Sequence, residues 1–306
     1  MSLGVIAAGV LAAATPAADW QLVWSDEFDG TSLDRSRWVL ADDCWGGGNE
    51  ERQCYTGRAE NHSVHDGVLE IVARWEERTG PAFPRDQRTN AEKASATRTK
   101  PFTSARLSTA GKAAWRYGKV QVRARLPQGQ GTWPAIWMLP EDWAYGGWAR
   151  SGEIDIMEAV NLGTPCAKCA GGVENRVLGT IHFGAEPPRN RYISEETELP
   201  GAIDAFHDYE VEWNEQGIVW RVDGKEFARR VPHEWHTLGS DRAGAPFDKP
   251  FHLILNLAIG GHLPEGRNTG GVSETGFPKR MQVDWVRVWQ MPPGPDNAAS
   301  GNLRGN

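Results

Sequence analysis

The stretch K-V-Q-V-R-A-R-L, residues 119–126, narrows the fold more than any other feature of the chain. Val120, Val122, Ala124 and Leu126 alternate with Lys119, Gln121, Arg123 and Arg125. A period of two puts the apolar set on one face of a strand and the polar set on the other. The pattern recurs. V-L-E-I-V-A-R follows a turn at Asp66-Gly67. Y-E-V-E-W (209–213) and I-V-W-R-V (218–222) flank N-E-Q-G, and Asp223-Gly224 opens another hairpin into K-E-F-A. H-L-I-L-N-L-A-I (252–259) and V-D-W-V-R-V-W (283–289) read as two further strands. Alternating segments separated by D-G pairs are hairpin signals. Only one helical turn, near Ile203 to His207, is legible. The expected class is therefore all-β, a two-sheet antiparallel β-sandwich of jelly-roll, concanavalin A-like type.

Length and composition bound the organisation. A chain of 306 residues can be one large all-β domain. The expected body is residues 19–291, with a leader at 1–18 and a polar, Pro- and Gly-bearing tail at 292–306 that reads as disordered. The 35 Gly and 19 Pro suit many turns between short strands. The net charge is −7 and no basic patch is visible, so nucleic acid is excluded as a partner. The 15 Trp can fill a core or offer flat faces to sugars.

The leader begins M-S-L-G-V-I-A-A-G-V-L-A-A-A-T-P-A-A and has no Lys or Arg. It is too short to span a membrane and ends in small residues. It reads as a signal peptide with an atypical start or as a flexible leader, and a secreted or periplasmic location is the expectation. The four cysteines, Cys44, Cys54, Cys166 and Cys169, fit an oxidising compartment. Cys44 with Cys54 and Cys166 with Cys169 are candidate disulfides, each closing a short loop. Zinc or redox chemistry is the rival reading of C-A-K-C, but no second ligand pair has zinc-like spacing.

S-G-E-I-D-I-M-E-A-V, residues 151–160, is the chemically loaded segment. Glu153 and Asp155 share a strand face, with Ile154 and Ile156 on the other. Strict alternation would put the third acid at 157, where Met157 stands; Glu158 rejoins the acidic face only if a β-bulge inserts one residue. Three carboxylates on one face repel one another unless a proton is retained. Two carboxyls with separated pKa values equip a site for glycoside hydrolysis. A solvated face or a cation site is the blander alternative, although calcium usually draws on irregular loop oxygens.

These residues make the chain resemble glycoside hydrolase family 16, within it the laminarinase-like endo-β-1,3-glucanases, whose signature E-x-D-x-x-E stands here as E-I-D-I-M-E. The resemblance also runs through W-S-D-E-F-D-G, G-G-G-N-E-E-R-Q-C-Y-T, F-T-S-A-R-L-S-T, G-T-W-P-A-I-W-M-L-P, G-T-I-H-F, F-H-D-Y-E-V-E-W and M-Q-V-D-W-V-R-V-W. It implies a concave cleft that takes a β-glucan polysaccharide. It also implies a retaining mechanism without a catalytic cofactor, with Glu153 as nucleophile, Glu158 as general acid/base and Asp155 positioning the nucleophile. It further implies sugar-binding roles for Asn49, Arg106, Trp133, Trp137, Trp148, His182 and Asn256. Taken alone, Trp137 is equally compatible with packing and Asn256 with a hydrogen-bonded core, while a lone His such as His182 is more often a packed or surface residue and is singled out only by the resemblance. A structural calcium is implied at Glu27, the backbone of Gly67, and Asp284, with pairing of Asp284 to a nearby Arg as the alternative. The chain is expected to act as a monomer.

Two segments depart from the family pattern: H-L-P-E-G at 262–266 and T-P-C-A-K-C-A-G-G at 164–172. Both bear on substrate preference, so mixed-linkage β-glucan, a galactan and glycosyl transfer stay open. A non-catalytic glucan-binding protein is disfavoured because all three acids are present.

Overall fold

The structure, a computed structural model, describes residues 19–292. The expected leader, and the expected tail beyond Pro292, lie outside the described residues. One sheet has seven strands. Their order is β12 (Arg191–Glu198), β11 (Arg176–Phe183), β10 (Glu153–Glu158), β9 (Thr132–Pro140), β16 (Phe251–Ile259), β7 (Arg106–Ser108) and β2 (Val39–Leu40). The ten-stranded sheet runs β15 (Lys225–Arg230), β14 (Gly217–Val222), β13 (His207–Asn214), β8 (Gly118–Arg125), β17 (Lys279–Gln290), β5 (Val68–Pro81), β6 (Thr97–Ser104) and β3 (Gln53–Tyr55). On its flanks β1 (Gln21–Asp26) pairs with β17 and β4 (His62–His65) with β5. Two helices are short, α1 (Ala91–Ser95) and α2 (His262–Glu265). The segment near Ile203 makes one hydrogen-bonded turn, Ala205 N to Ala202 O, and no helix.

Alternation decides which side chains enter the space between the sheets. On β8, Val120, Val122 and Ala124 are fully buried, while Lys119, Gln121 and Arg123 face outward. They meet Val211 and Trp213 of β13, Val283, Val286 and Val288 of β17, and the inward residues Ile136, Met138, Ile154 and Ile156 of β9 and β10. Removing this much apolar surface from water is the main stabilising contribution to such a sandwich.

β16 does not alternate, since every residue from Phe251 to Ile259 is buried. Its outer side is covered by the chain around β3. Arg52 N donates to Ile259 O at 2.7 Å, Ile259 N to Gln53 Oε1 at 2.8 Å, and Asn256 Nδ2 to the Tyr55 hydroxyl at 3.1 Å. Disulfides join Cys44 to Cys54 and Cys166 to Cys169. The first fixes the covering segment beside β3. The second removes both thiolates that a zinc ion would need.

Candidate active site

β10 carries the acids at the middle of the seven-stranded sheet. Its pairing with β11 slips between Asp155 and Glu158, and its pairing with β9 slips between Asp155 and Met157. This is the bulge that the acid spacing requires. One extra residue lets Ile156 and Met157 both enter the core and returns Glu158 to the face of Glu153 and Asp155. A bulge leaves backbone groups without ladder partners. At this slip the Asp155 carbonyl accepts from across the core, where the buried Trp220 indole of β14 donates to it at 2.8 Å. Gly179 of β11 makes room for that ring, because a Cβ there would lie 2.6 Å from Trp220 Cδ1.

Each outer acid receives an indole N–H. Trp133 Nε1 donates to Glu158 Oε1 at 3.0 Å, and Trp148 Nε1 to Glu153 Oε2 at 2.9 Å. Trp133 and Trp137 lie on the acid-bearing face of β9, two residues either side of Ala135, which pairs with Glu158. Trp148 comes from the loop that enters β10. That loop turns into the strand at Gly152, whose φ is +85° and where a Cβ would lie 2.9 Å from Phe247. His182 pairs across the ladder with Glu153, and its Nε2 is 3.5 Å from Glu153 Oε1 and 3.3 Å from Asp155 Oδ2.

Burial raises the pKa of all three carboxyls, and mutual repulsion adds to it. Glu153 is pushed up to about 8, first by burial, then by the Asp155 charge, with His182 opposing. Burial raises Glu158, while His182 and the Trp133 N–H pull it back. Asp155, only 3% exposed, is raised well above the usual range by burial and by Glu158. Three adjacent charges are untenable here, so the cluster retains protons at neutral pH. Asp155 is the most enclosed of the three, and the acids titrate as one coupled set rather than singly.

The other expected sugar-binding residues divide. Arg106 lays its guanidinium over the Trp137 ring, 4.8 Å from the centroid. Trp137 Nε1 donates to Asn256 Oδ1 at 2.7 Å. Asn256 is 6% exposed and its amide nitrogen is used by Tyr55, so it supports Trp137 from beneath. Asn49 is half-buried and donates to Glu51 Oε1 at 3.3 Å. It lies near Trp133, beside a pocket of about 490 Å³ lined by Glu50, Arg52, His262 and Glu265.

Sequence reasoning missed Trp220, Thr180 and Arg267. Thr180 favours the Glu158 anion and lies two residues before His182 on β11, so strand parity was an available signal. Arg267 attracts the Glu158 charge from a loop held by Asn161, whose Nδ2 donates to Pro264 O at 2.8 Å. No local pattern marks it.

The residues implied for calcium do not fit a hard cation as placed. Glu27 gives both oxygens to Arg287, at 3.0 and 2.8 Å, and Asp284 lies 3.2 Å from Arg123. Two guanidinium groups repel a cation where the carboxylates were expected to hold one. Gly67 serves the turn at φ +75°. Among the described residues, ligand-type atoms also gather at Cys166, Cys169 and Glu174, where the sulfurs are in a disulfide. They gather again at Glu153, Asp155 and His182, which are part of the acid cluster.

Comparison with known proteins agrees with this geometry. The family described as Glycosyl hydrolases family 16 matches residues 76–287. Glucan endo-1,3-beta-glucosidase A1 of Niallia circulans is 40% identical over 89% of this chain, which spans 38% of that relative's length. A beta-glucanase of Rhodothermus marinus is 40% identical over 90% of this chain and 86% of the relative. The X-ray structure of the laminarinase from Rhodothermus marinus has a TM-score of 0.71 at 39% identity, covering 90% of this chain and 99% of that one. On its fold, its acid-bearing bulged strand and these matches, the chain belongs to glycosyl hydrolase family 16.

Proposed function

We propose that this glycoside hydrolase is an endo-β-1,3-glucanase that cleaves laminarin-like glucans with retention of anomeric configuration. The observation that carries the reading is the bulge in β10, which presents Glu153 and Glu158 on one face with Asp155 buried between them. In a retaining site two carboxyls lie ~5–5.5 Å apart on opposite sides of the scissile bond. The ionised Glu153 attacks the anomeric carbon while protonated Glu158 gives its proton to the leaving oxygen. A glycosyl-enzyme ester forms on Glu153. Glu158, now ionised, takes a proton from water as that water attacks the ester, and both acids return to their starting states. The Trp148 and Trp133 N–H groups each orient one oxygen of an acid, Oε2 of Glu153 and Oε1 of Glu158. Preference for β-1,3-glucan is supported by the similarity to a glucan endo-1,3-beta-glucosidase and to a laminarinase. Two disulfides support an exported protein.

The test is reducing-sugar release from laminarin, with lichenan and agarose in parallel, by wild type and Glu153→Gln. The anomer first released from laminarin is read by NMR. Turnover on laminarin giving the β-anomer, and lost in Glu153→Gln, supports the whole reading. Turnover on another polymer alone moves the specificity. Release of the α-anomer refutes retention.

A further inference from the structure

Every expected sugar contact except Trp148 and His182 lies on one side of the catalytic strand or above it. Trp133 and Trp137 are on β9, Asn256 on β16, Arg106 on β7, and Asn49 precedes β3. An enzyme that cuts inside a polymer must hold chain on both sides of the cut. On the other side only β11 and then the edge strand β12 remain.

Tyr192 of β12 stands there. It pairs across the ladder with His182, which pairs with Glu153, so the three side chains share one face along one line. Two strand spacings put the Tyr192 backbone ~9.6 Å from that of Glu153. The Tyr192 ring is 5.8 Å from the His182 ring and tilted by 37°. The His182 ring is 5.5 Å from that of Trp148, the indole bonded to the nucleophile. A run of rings thus leads outward from Glu153. At 67% Tyr192 is the most exposed of the large apolar side chains among the described residues. Its hydroxyl has no hydrogen-bond partner and no cation covers its ring among the described residues, whereas Arg106 covers Trp137. The face continues along β12 with Ser194, bonded to Thr180 Oγ1, and Glu196. It is polar enough for sugar hydroxyls once a ring face has stacked.

We propose that Tyr192 is a stacking platform for a pyranose ring of the glucan chain, on the β12 side of the cleavage point. It grips the half of the substrate that the β9–β16–β7 side does not reach. The inference rests on the β-glucanase reading. An exposed ring costs solubility and little else is gained from it on an edge strand, while a sugar face covers it without displacing any existing contact.

The experiment compares wild type, Tyr192→Ala and Tyr192→Phe on a ladder of reducing-end-labelled β-1,3-gluco-oligosaccharides and on laminarin. Both kcat/KM and the position of the cut bond are read. In Tyr192→Ala, kcat/KM for long chains falls about tenfold, the size of a lost stacking contact. The loss is smaller for chains too short to reach β12, and the cut shifts along the labelled oligosaccharide. Tyr192→Phe keeps most of the wild-type pattern. The melting temperature of Tyr192→Ala checks that the fold is intact. If wild type cuts the ladder but Tyr192→Ala leaves the cut position and the long-to-short ratio unaltered, the platform is overturned alone. An equal loss at every chain length also overturns it, as a general structural effect. Absence of wild-type turnover on β-1,3-glucan overturns the parent reading, and this one with it.

Discussion

The Trp220 indole is the sharpest place to test how the bulge is held. Trp220→Phe keeps an aromatic ring in the core but removes the N–H that bonds the buried Asp155 carbonyl. Leaving a buried carbonyl without a partner costs about 1–3 kcal/mol. The smaller ring also loses some packing, and a control separates the two. Trp213 of β13 is fully buried like Trp220, but its Nε1 has no hydrogen-bond partner among the described residues. Trp213→Phe therefore carries the packing loss and removes an unsatisfied donor. Trp220→Phe is expected to be at least about 1–3 kcal/mol less stable than Trp213→Phe. For a domain of this size each kcal/mol is a shift of about 2–4 °C in melting temperature. The catalytic consequence follows from geometry, because the carbonyl belongs to the residue between the two working acids. A displacement of Glu158 by about 1 Å costs up to about a hundredfold in rate, so kcat on laminarin is expected to fall at least tenfold in Trp220→Phe. Urea and thermal unfolding with initial-rate assays well below the melting range give both numbers. Equal stability of the two variants, with wild-type kcat in Trp220→Phe, would refute the view that this hydrogen bond sets the bulge.

Three further outcomes follow from the same geometry. Gly179→Ala places a methyl group 2.6 Å from Trp220 Cδ1 and is expected to lower stability by about 1–3 kcal/mol and kcat with it; unchanged unfolding would show that the ring can move. Asn256→Ala removes the acceptor of the Trp137 N–H and the donor to Tyr55, and steady-state kinetics are expected to show KM raised more than kcat is lowered. For Glu153→Gln the sign is set by linkage. The folded protein holds the Glu153 proton more tightly than the unfolded chain does, an advantage fully present below about 4.5 and lost as pH rises through about 8. Wild type is therefore expected to lose stability relative to Glu153→Gln across that window, checked by melting curves at its two ends; a constant difference would show that Glu153 does not titrate there.

Much of this was legible because strand parity is strict. The acid at 158 in place of 157 forces a bulge on any strand that keeps the three acids together, and the pairing slips between Asp155 and Glu158 as required. The alternation of β8 likewise told its buried face directly. Parity fails where both faces are covered. H-L-I-L-N-L-A-I did not reveal that β16 inserts between β9 and β7, nor that Asn256 supports Trp137 from a buried position. Contacts between distant segments leave no local trace: Trp220 reaches Asp155, and Arg123 and Arg287 reach the carboxylates expected to bind calcium. Tyr192 sits in R-N-R-Y-I-S, where nothing but its place beside His182 marks it.

The choice of indoles around the acids has a physical reason. A general acid must keep its proton until the leaving oxygen needs it, so it cannot sit on an unneutralised cation. Elsewhere in this protein Glu76 receives two bonds from Arg58, at 3.0 and 2.7 Å, and is pulled down to about 2. A carboxyl held that way is an anion at any working pH and has no proton to give. Glu158 instead takes an N–H from neutral Trp133, which orients it while burial raises its pKa. The nearest guanidinium is partly spent: Arg267 bonds Glu196 at 2.7 Å, and Glu196 also accepts from Arg176 at 2.6 Å. That network fixes the loop beside Glu158 while most of the positive charge is met before it reaches the acid. Substituting a cation for Trp133 would strengthen the hydrogen bond to Glu158 and, by holding it ionised, remove the proton on which the first chemical step depends.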